Sequence, residues 1–175
     1  TVTISRTFNA NAWNTLVLPF ALSAEQLAEK FGADAKFANY TGTTVNADGT
    51  YTLNFATANA LTANTPVFVW GANTDEIYEF SGVKVVKGDA TAAPGSAAFT
   101  FAGSYDKTTV KAGDWFVSSD NKLYRALGTE TMKPLRAVFR PVSAAAAKGL
   151  SFSIDGGEAT GISAITADGS IVVDD

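Results

Sequence analysis

Seventeen carboxylates, with no histidine and no cysteine, set the chemical repertoire of this chain. Without imidazole or thiolate, the Ser-His-Asp and Cys-His nucleophile systems cannot be assembled, and neither can zinc sites built on those ligands. Carboxylates alone still suffice for one reaction. A pair at a suitable separation hydrolyses a glycosidic bond, one as acid and the other as base or nucleophile. Most of the acids have simpler duties: Asp48, Asp120, Asp155 and Asp168 occupy turn positions where the side chain bonds the local backbone, and Glu25 and Glu29 fall on a helix surface. Glu79 and Asp114 are the acids left for chemistry, although a solvated strand face and a turn acid account for them more simply. The Asp-Gly turns lack the Asp-x-Asp-x-Asp-Gly calcium loop, and no glycine-rich phosphate loop opens a helix, so neither a metal nor a cofactor is expected.

Aromatic faces offer a second kind of chemistry, since an indole or phenol ring lies against the C–H face of a sugar while polar neighbours take its hydroxyls. Trp70 ends an apolar run just before Gly71-Ala72-Asn73, and Trp115 follows the turn Ala112-Gly113-Asp114, so both are placed near loop mouths. Arg136 and Arg140, with Val138 between them, line one face of a strand whose other face is Leu135, Ala137 and Phe139. With Lys122, Arg125 and Lys133 close in sequence, they form a basic stripe that attracts an anionic glycan. Trp70, Trp115, Tyr124, Arg136 and Arg140 are therefore the candidate ligand-binding residues. Each also has a structural duty open to it: the indoles fill a core, and the arginines solvate a strand face or guard an edge. Trp13 lies in the most apolar run and is expected in the core.

The elements that must position these residues are mostly strands. A chain of 175 residues with a 46% apolar share, 12 Phe, 3 Trp and 5 Tyr can bury a core without disulfides. A net charge of −4 gives no pull toward nucleic acid, and no apolar run approaches the roughly 20 residues of a membrane-spanning helix. Thr1 at the first position and a single Met, Met132, lead to the expectation of a processed or excised fragment whose signal peptide is already gone.

Residues 1–8 alternate as an opening strand, and 13–20 are apolar on both faces, as in a central strand that Pro19 ends. Ser23-Ala24-Glu25-Gln26 is a capping box, and with Lys30 in the last turn and Gly32 after it, a helix is expected over 24–31. Two turns do not persist alone, so Leu27 and Phe31 must pack it on a sheet. Asp48-Gly49 before Tyr51, Leu53 and Phe55 marks a hairpin, and further strands are expected at 66–70, 77–80, 83–86, 98–102, 115–118, 123–127, 135–140 and 150–154. A loop at 87–96 permits a domain boundary, but a single shared core is the better fit to each half's small size. Residues 143–149, with four alanines, are a connector. The expected architecture is an all-β, antiparallel β-sandwich with one short α-helix packed on it.

The run Trp13-Asn14-Thr15-Leu16-Val17-Leu18-Pro19-Phe20, followed by Leu22-Ser23-Ala24-Glu25-Gln26 and Phe31-Gly32, resembles a module of secreted or surface-attached proteins of gut Bacteroides and related bacteria. The similarity continues through Ala112-Gly113-Asp114, Asn121-Lys122-Leu123-Tyr124-Arg125, Met132-Lys133 and Arg136-Ala137, and closes at Thr160-Gly161-Ile162. The resemblance implies a location outside the cell or on the outer-membrane surface, and a place beside other domains of one polypeptide. It also implies a sandwich domain over 1–158, with 159–175 a linker or the start of a sorting-type tail. It brings no catalytic residues with it. The expected function is a non-catalytic surface module for adhesion, glycan binding or domain spacing, whose partners are a glycan or a host surface protein. The alternative is a carboxylate-based glycan hydrolase, with two acids converging in a cleft lined by Trp70 or Trp115.

Overall fold

The computed structural model of the chain describes residues 1–143, 148–157, 160–165 and 171–173. In chain order the first elements are β1 (Val2–Ser5), β2 (Asn14–Leu16), α1 (Ala24–Phe31), β3 (Lys36–Val45), β4 (Tyr51–Ala58) and β5 (Val67–Trp70). Next come β6 (Ile77–Phe80), β7 (Thr91–Ala92), β8 (Phe99–Ser104), β9 (Thr108–Thr109), β10 (Trp115–Val117) and β11 (Leu123–Arg125). The last are β12 (Thr131–Met132), β13 (Arg136–Pro141), β14 (Gly149–Ile154), β15 (Thr160–Ile165) and β16 (Ile171–Val173).

These strands form a seven-stranded sheet in the order β16-β15-β14-β4-β3-β5-β2 and a five-stranded sheet in the order β11-β10-β13-β8-β7. Two-stranded ribbons, β1-β6 and β9-β12, complete the set. The fold is all-β with a short helix, as the periodicity predicts. Among the described residues all pairings are antiparallel except β14 with β4, which run parallel.

The main core lies between the two large sheets and is aromatic. Period-two alternation sends Tyr40, Leu53, Phe55, Phe68, Leu150 and Phe152 inward from one sheet, and Phe99, Phe101, Trp115, Leu123 and Phe139 inward from the other. Phe55 and Phe68 stack 4.1 Å apart, Phe101 and Phe139 stack 4.4 Å apart, and the two pairs meet nearly perpendicular, at 82 to 89°. Each edge-to-face contact adds about 0.5–1.5 kcal/mol beyond burial. Both halves of the chain supply this core, so the 87–96 loop does not divide it.

A second core covers the opposite face of the seven-stranded sheet. There Phe37, Val67 and Val69 meet Leu27 and Phe31 of α1 and Ile4, Tyr78 and Phe80 of the β1-β6 ribbon. The helix spans Ala24–Phe31 as its caps predict: Ser23 Oγ accepts from Gln26 N–H at 3.3 Å, Gln26 Oε1 accepts from Ser23 N–H at 2.9 Å, and Gly32 takes φ 103° beyond the last turn. Phe31 is held edge-on by Phe8 and Phe37. A third, smaller cluster, of Ala102, Val110, Ala126, Met132 and Val138, lies where the β9-β12 ribbon covers the outer face of the five-stranded sheet.

Several expectations are corrected. Residues 83–86 form no strand: among the described residues β6 pairs with β1 alone, 83–86 join no sheet, and Val85 and Val86 are left exposed. Strand β2 is short and sits at the edge of its sheet rather than centrally. Leu16 and Leu18 are buried in the second core, and the segment is also tied toward β13, where Leu135 C=O accepts from Val17 N–H at 3.2 Å and Thr15 Oγ1 accepts from Ala137 N–H at 3.0 Å. Past residue 158, β15 pairs with β14 and β16 with β15, which supplies two strands of the seven-stranded sheet. The four alanines 144–147, the Asp168-Gly169 turn and Asp174-Asp175 lie outside the described residues.

Candidate functional site

The register that sets Asn14 opposite Val69 brings Trp13 beside Trp70 at one end of the sandwich, their ring centroids 5.8 Å apart. Trp13 also stacks on Phe68, 5.7 Å away, so the pair grows directly out of the aromatic core. Both indoles are half-buried: Trp13 packs against the main core, as expected of it, at the core's margin. The loop before β2 fixes this geometry. Asn14 Nδ2 donates to the carbonyls of Asn9, Ala12 and Val69, and Trp13 N–H donates to Asn121 Oδ1 at 3.0 Å. Asn121 itself adopts φ 65°, a left-handed conformation that asparagine tolerates well.

Next to Trp13 a cavity of about 130 Å³ is lined by Arg6, Asn9, Asn14, Ser118, Ser119 and Arg136, among others. Arg6 is the unexpected member. It is 4% exposed, donates from Nη2 to Thr15 C=O at 2.7 Å and from Nη1 to Leu135 C=O at 3.0 Å, and lies 4.8 Å from the centroid of Phe8. Its Nε has no hydrogen-bond partner. Burial, and then the neighbouring Arg136 cation, bring the Arg6 guanidinium down to about 9, which leaves it charged at neutral pH. Arg6 was legible in one respect: it falls in phase with Val2, Ile4 and Phe8, the inward positions of the opening segment, where a cation has no ordinary reason to sit.

Arg136 is half-buried, donates to Pro134 C=O at 3.0 Å, and is lowered by desolvation. Leu135, just before it, adopts φ 65°, an uncommon state for a leucine, and its carbonyl receives both Arg6 and Val17 N–H. Arg136, Thr15 and Val117 also line a second cavity of about 370 Å³, which runs beneath the β9-β12 ribbon to Glu130, Met132 and Lys133. Glu130 is held below the usual carboxylate range by backbone N–H groups, Leu127 first and then those of Gly128 and Thr129.

The other candidates separate. Trp115 is 1% exposed in the sandwich core, so neither ring face is open to a sugar, and it leaves the ligand-binding set. Arg140 does not belong to a solvated basic stripe: it clamps Asp114 with two bonds of 3.1 and 2.9 Å, and Val138 between the two arginines is buried under the ribbon. Asp114 is correspondingly 2% exposed, and as a turn acid it also accepts from Lys111 N–H at 3.3 Å. Glu79 is exposed on β6. Tyr124 is half-buried, stacks on Phe116 at 6.0 Å and donates to Asp120 on the outer side of the β10-β11 hairpin. The structure thus brings Trp70 together with Trp13, and Arg136 together with Arg6. Among the described residues no three acids are grouped to hold a metal ion, and no helix is long and apolar enough to cross a membrane. No protein-family model matches the chain, and neither a curated protein nor a solved structure does so.

Proposed function

We propose that the chain is a non-catalytic module of a larger exported bacterial protein, held outside the cell or on its outer-membrane surface, which binds glycan at the Trp13–Trp70 rim. The observation that carries this reading is the pair of half-buried indoles 5.8 Å apart, with amide and hydroxyl side chains of Asn9, Asn14, Ser118 and Ser119 lining the cavity beside Trp13. Indole left in water forgoes about 25 cal/mol for each Å² not buried, and a sugar C–H face recovers that area while the polar groups satisfy its hydroxyls. The non-catalytic half is supported by Asp114, whose oxygens are both engaged by Arg140 and so are poorly placed to trade a proton. The bacterial surface setting rests on the WNTL-x-LPF and LS-x-x-Q resemblance.

A glycan array read with the unaltered chain, W13A and W70A tests the reading. Binding to a defined set of oligosaccharides is expected, with each substitution weakening it at least about tenfold, as loss of an aromatic anchor does. Binding that survives both substitutions removes the rim from the account. No binding on the array, joined with no capture by host mucins, leaves domain spacing as the function.

A further inference from the structure

We infer that the Arg6–Arg136 pocket beside Trp13 binds an oxyanion, the carboxylate or sulfate ester of an acidic glycan. The inference rests on the glycan reading above and specifies the class of sugar. Two guanidinium groups line one small cavity, and among the described residues neither forms an ion pair with a carboxylate. Arg6 is the sharper case, because a cation 4% exposed that keeps an unpartnered Nε–H bears a desolvation cost that its two carbonyl bonds only partly offset.

A purely structural clasp would gain nothing from placing a second arginine beside the first. An oxyanion between them would offset both cations through charge-assisted bonds. The space suits such a group: about 130 Å³ is well above what one water needs. The nearest acid of the adjoining cavity, Glu130, is already occupied by the amides of 127–129 and does not compete.

The test follows two nitrogen-bound protons by NMR in the intact chain, Arg6 Nε–H for the pocket and Trp13 Nε1–H for the rim. The probes are a uronic-acid trisaccharide, a sulfated galactan trisaccharide, a neutral galactan trisaccharide, sodium acetate and sodium sulfate. Arg136→Gln is the variant, since Arg136 is half-buried and its loss leaves both carbonyl bonds of Arg6 in place.

An acidic trisaccharide is expected to move both signals, with R136Q weakening it at least about tenfold and leaving the neutral sugar unchanged. The uronic and sulfated arms tell which ester or acid is preferred. Equal binding of acidic and neutral sugars, with Arg6 Nε–H unmoved, overturns the oxyanion site while the rim stands. Saturable movement of Arg6 Nε–H by acetate or sulfate, lost in R136Q, with Trp13 unmoved by every sugar, upholds the oxyanion site and overturns the glycan reading on which it was built.

Discussion

Strand β13 divides two interiors built from different chemistry. On its inner side Ala137 and Phe139 join a core that is carbon almost throughout, closed by stacked and perpendicular rings. On its outer side Arg136, Val138 and Arg140 face a two-stranded ribbon, an ion pair and a cavity of about 370 Å³. On the inner side Phe101, Phe139 and Phe152 are fully buried and meet other rings, as expected of a closely packed interior. The outer side is closed by a small apolar cluster and by the Arg140–Asp114 pair, and where those end, at Arg6 and Arg136, a space remains. Room for a ligand arises where polar groups outnumber their internal partners.

The largest test of this contrast is Phe139→Ala, which opens a void between two stacked pairs and is expected to cost about 3–5 kcal/mol in denaturant unfolding. A cost below about 2 kcal/mol would show that the aromatic core collapses readily and is not the rigid half of the comparison. On the outer side the two partners of one ion pair should behave unequally. Arg140→Gln strands a carboxylate that is 2% exposed and is expected to cost about 3 kcal/mol, while Asp114→Asn frees a half-exposed arginine to rehydrate and is expected to cost about 1 kcal/mol. Equal losses would mean that the pair is wet. Val138→Ala should cost about 1 kcal/mol, less than a typical core truncation, because the cavity beside it already admits solvent; the same unfolding titration measures it.

The smallest effect is local. Glu130 has its folded value lowered, so its stabilising contribution is present above the ordinary 4.5 and is lost as pH falls through that lower value. Hydrogen-exchange protection of the Leu127 amide is expected to fall in that window while that of Phe139 holds. Loss at both sites together would show the ribbon and the core to be one cooperative unit.

How much of this was legible in the sequence follows the same division. The helix and its caps were readable because Ser23, Gln26 and Gly32 act on their own neighbours, and so were the hairpin at Asp48-Gly49 and the alternation that faces Phe99 and Phe101 inward. Partners across the fold were not. Arg140 read as a solvated cation because the carboxylate that claims it lies 26 residues away, across a different strand pairing. Trp115 had two readings, sugar platform beside a turn or core residue, and it took the opposing sheet covering the Trp115 side of β10 to decide for the core. Strand 83–86 failed for the reason any short apolar run can: composition proposes a strand, but only a neighbour completes one. Arg6 was the one long-range feature that left a local trace, as the sole charge in an inward phase.

The bonds from Arg6 to Leu135, 129 residues downstream, and from Thr15 to Ala137, 122 downstream, have a temporal consequence. A chain that emerges from its amino end first cannot close its opening segments until most of its length has appeared, and during that interval the greasy edge of β2 stays available to wrong partners. Assembly should therefore be late and concerted, with the opening segments of this domain among the last to find their places.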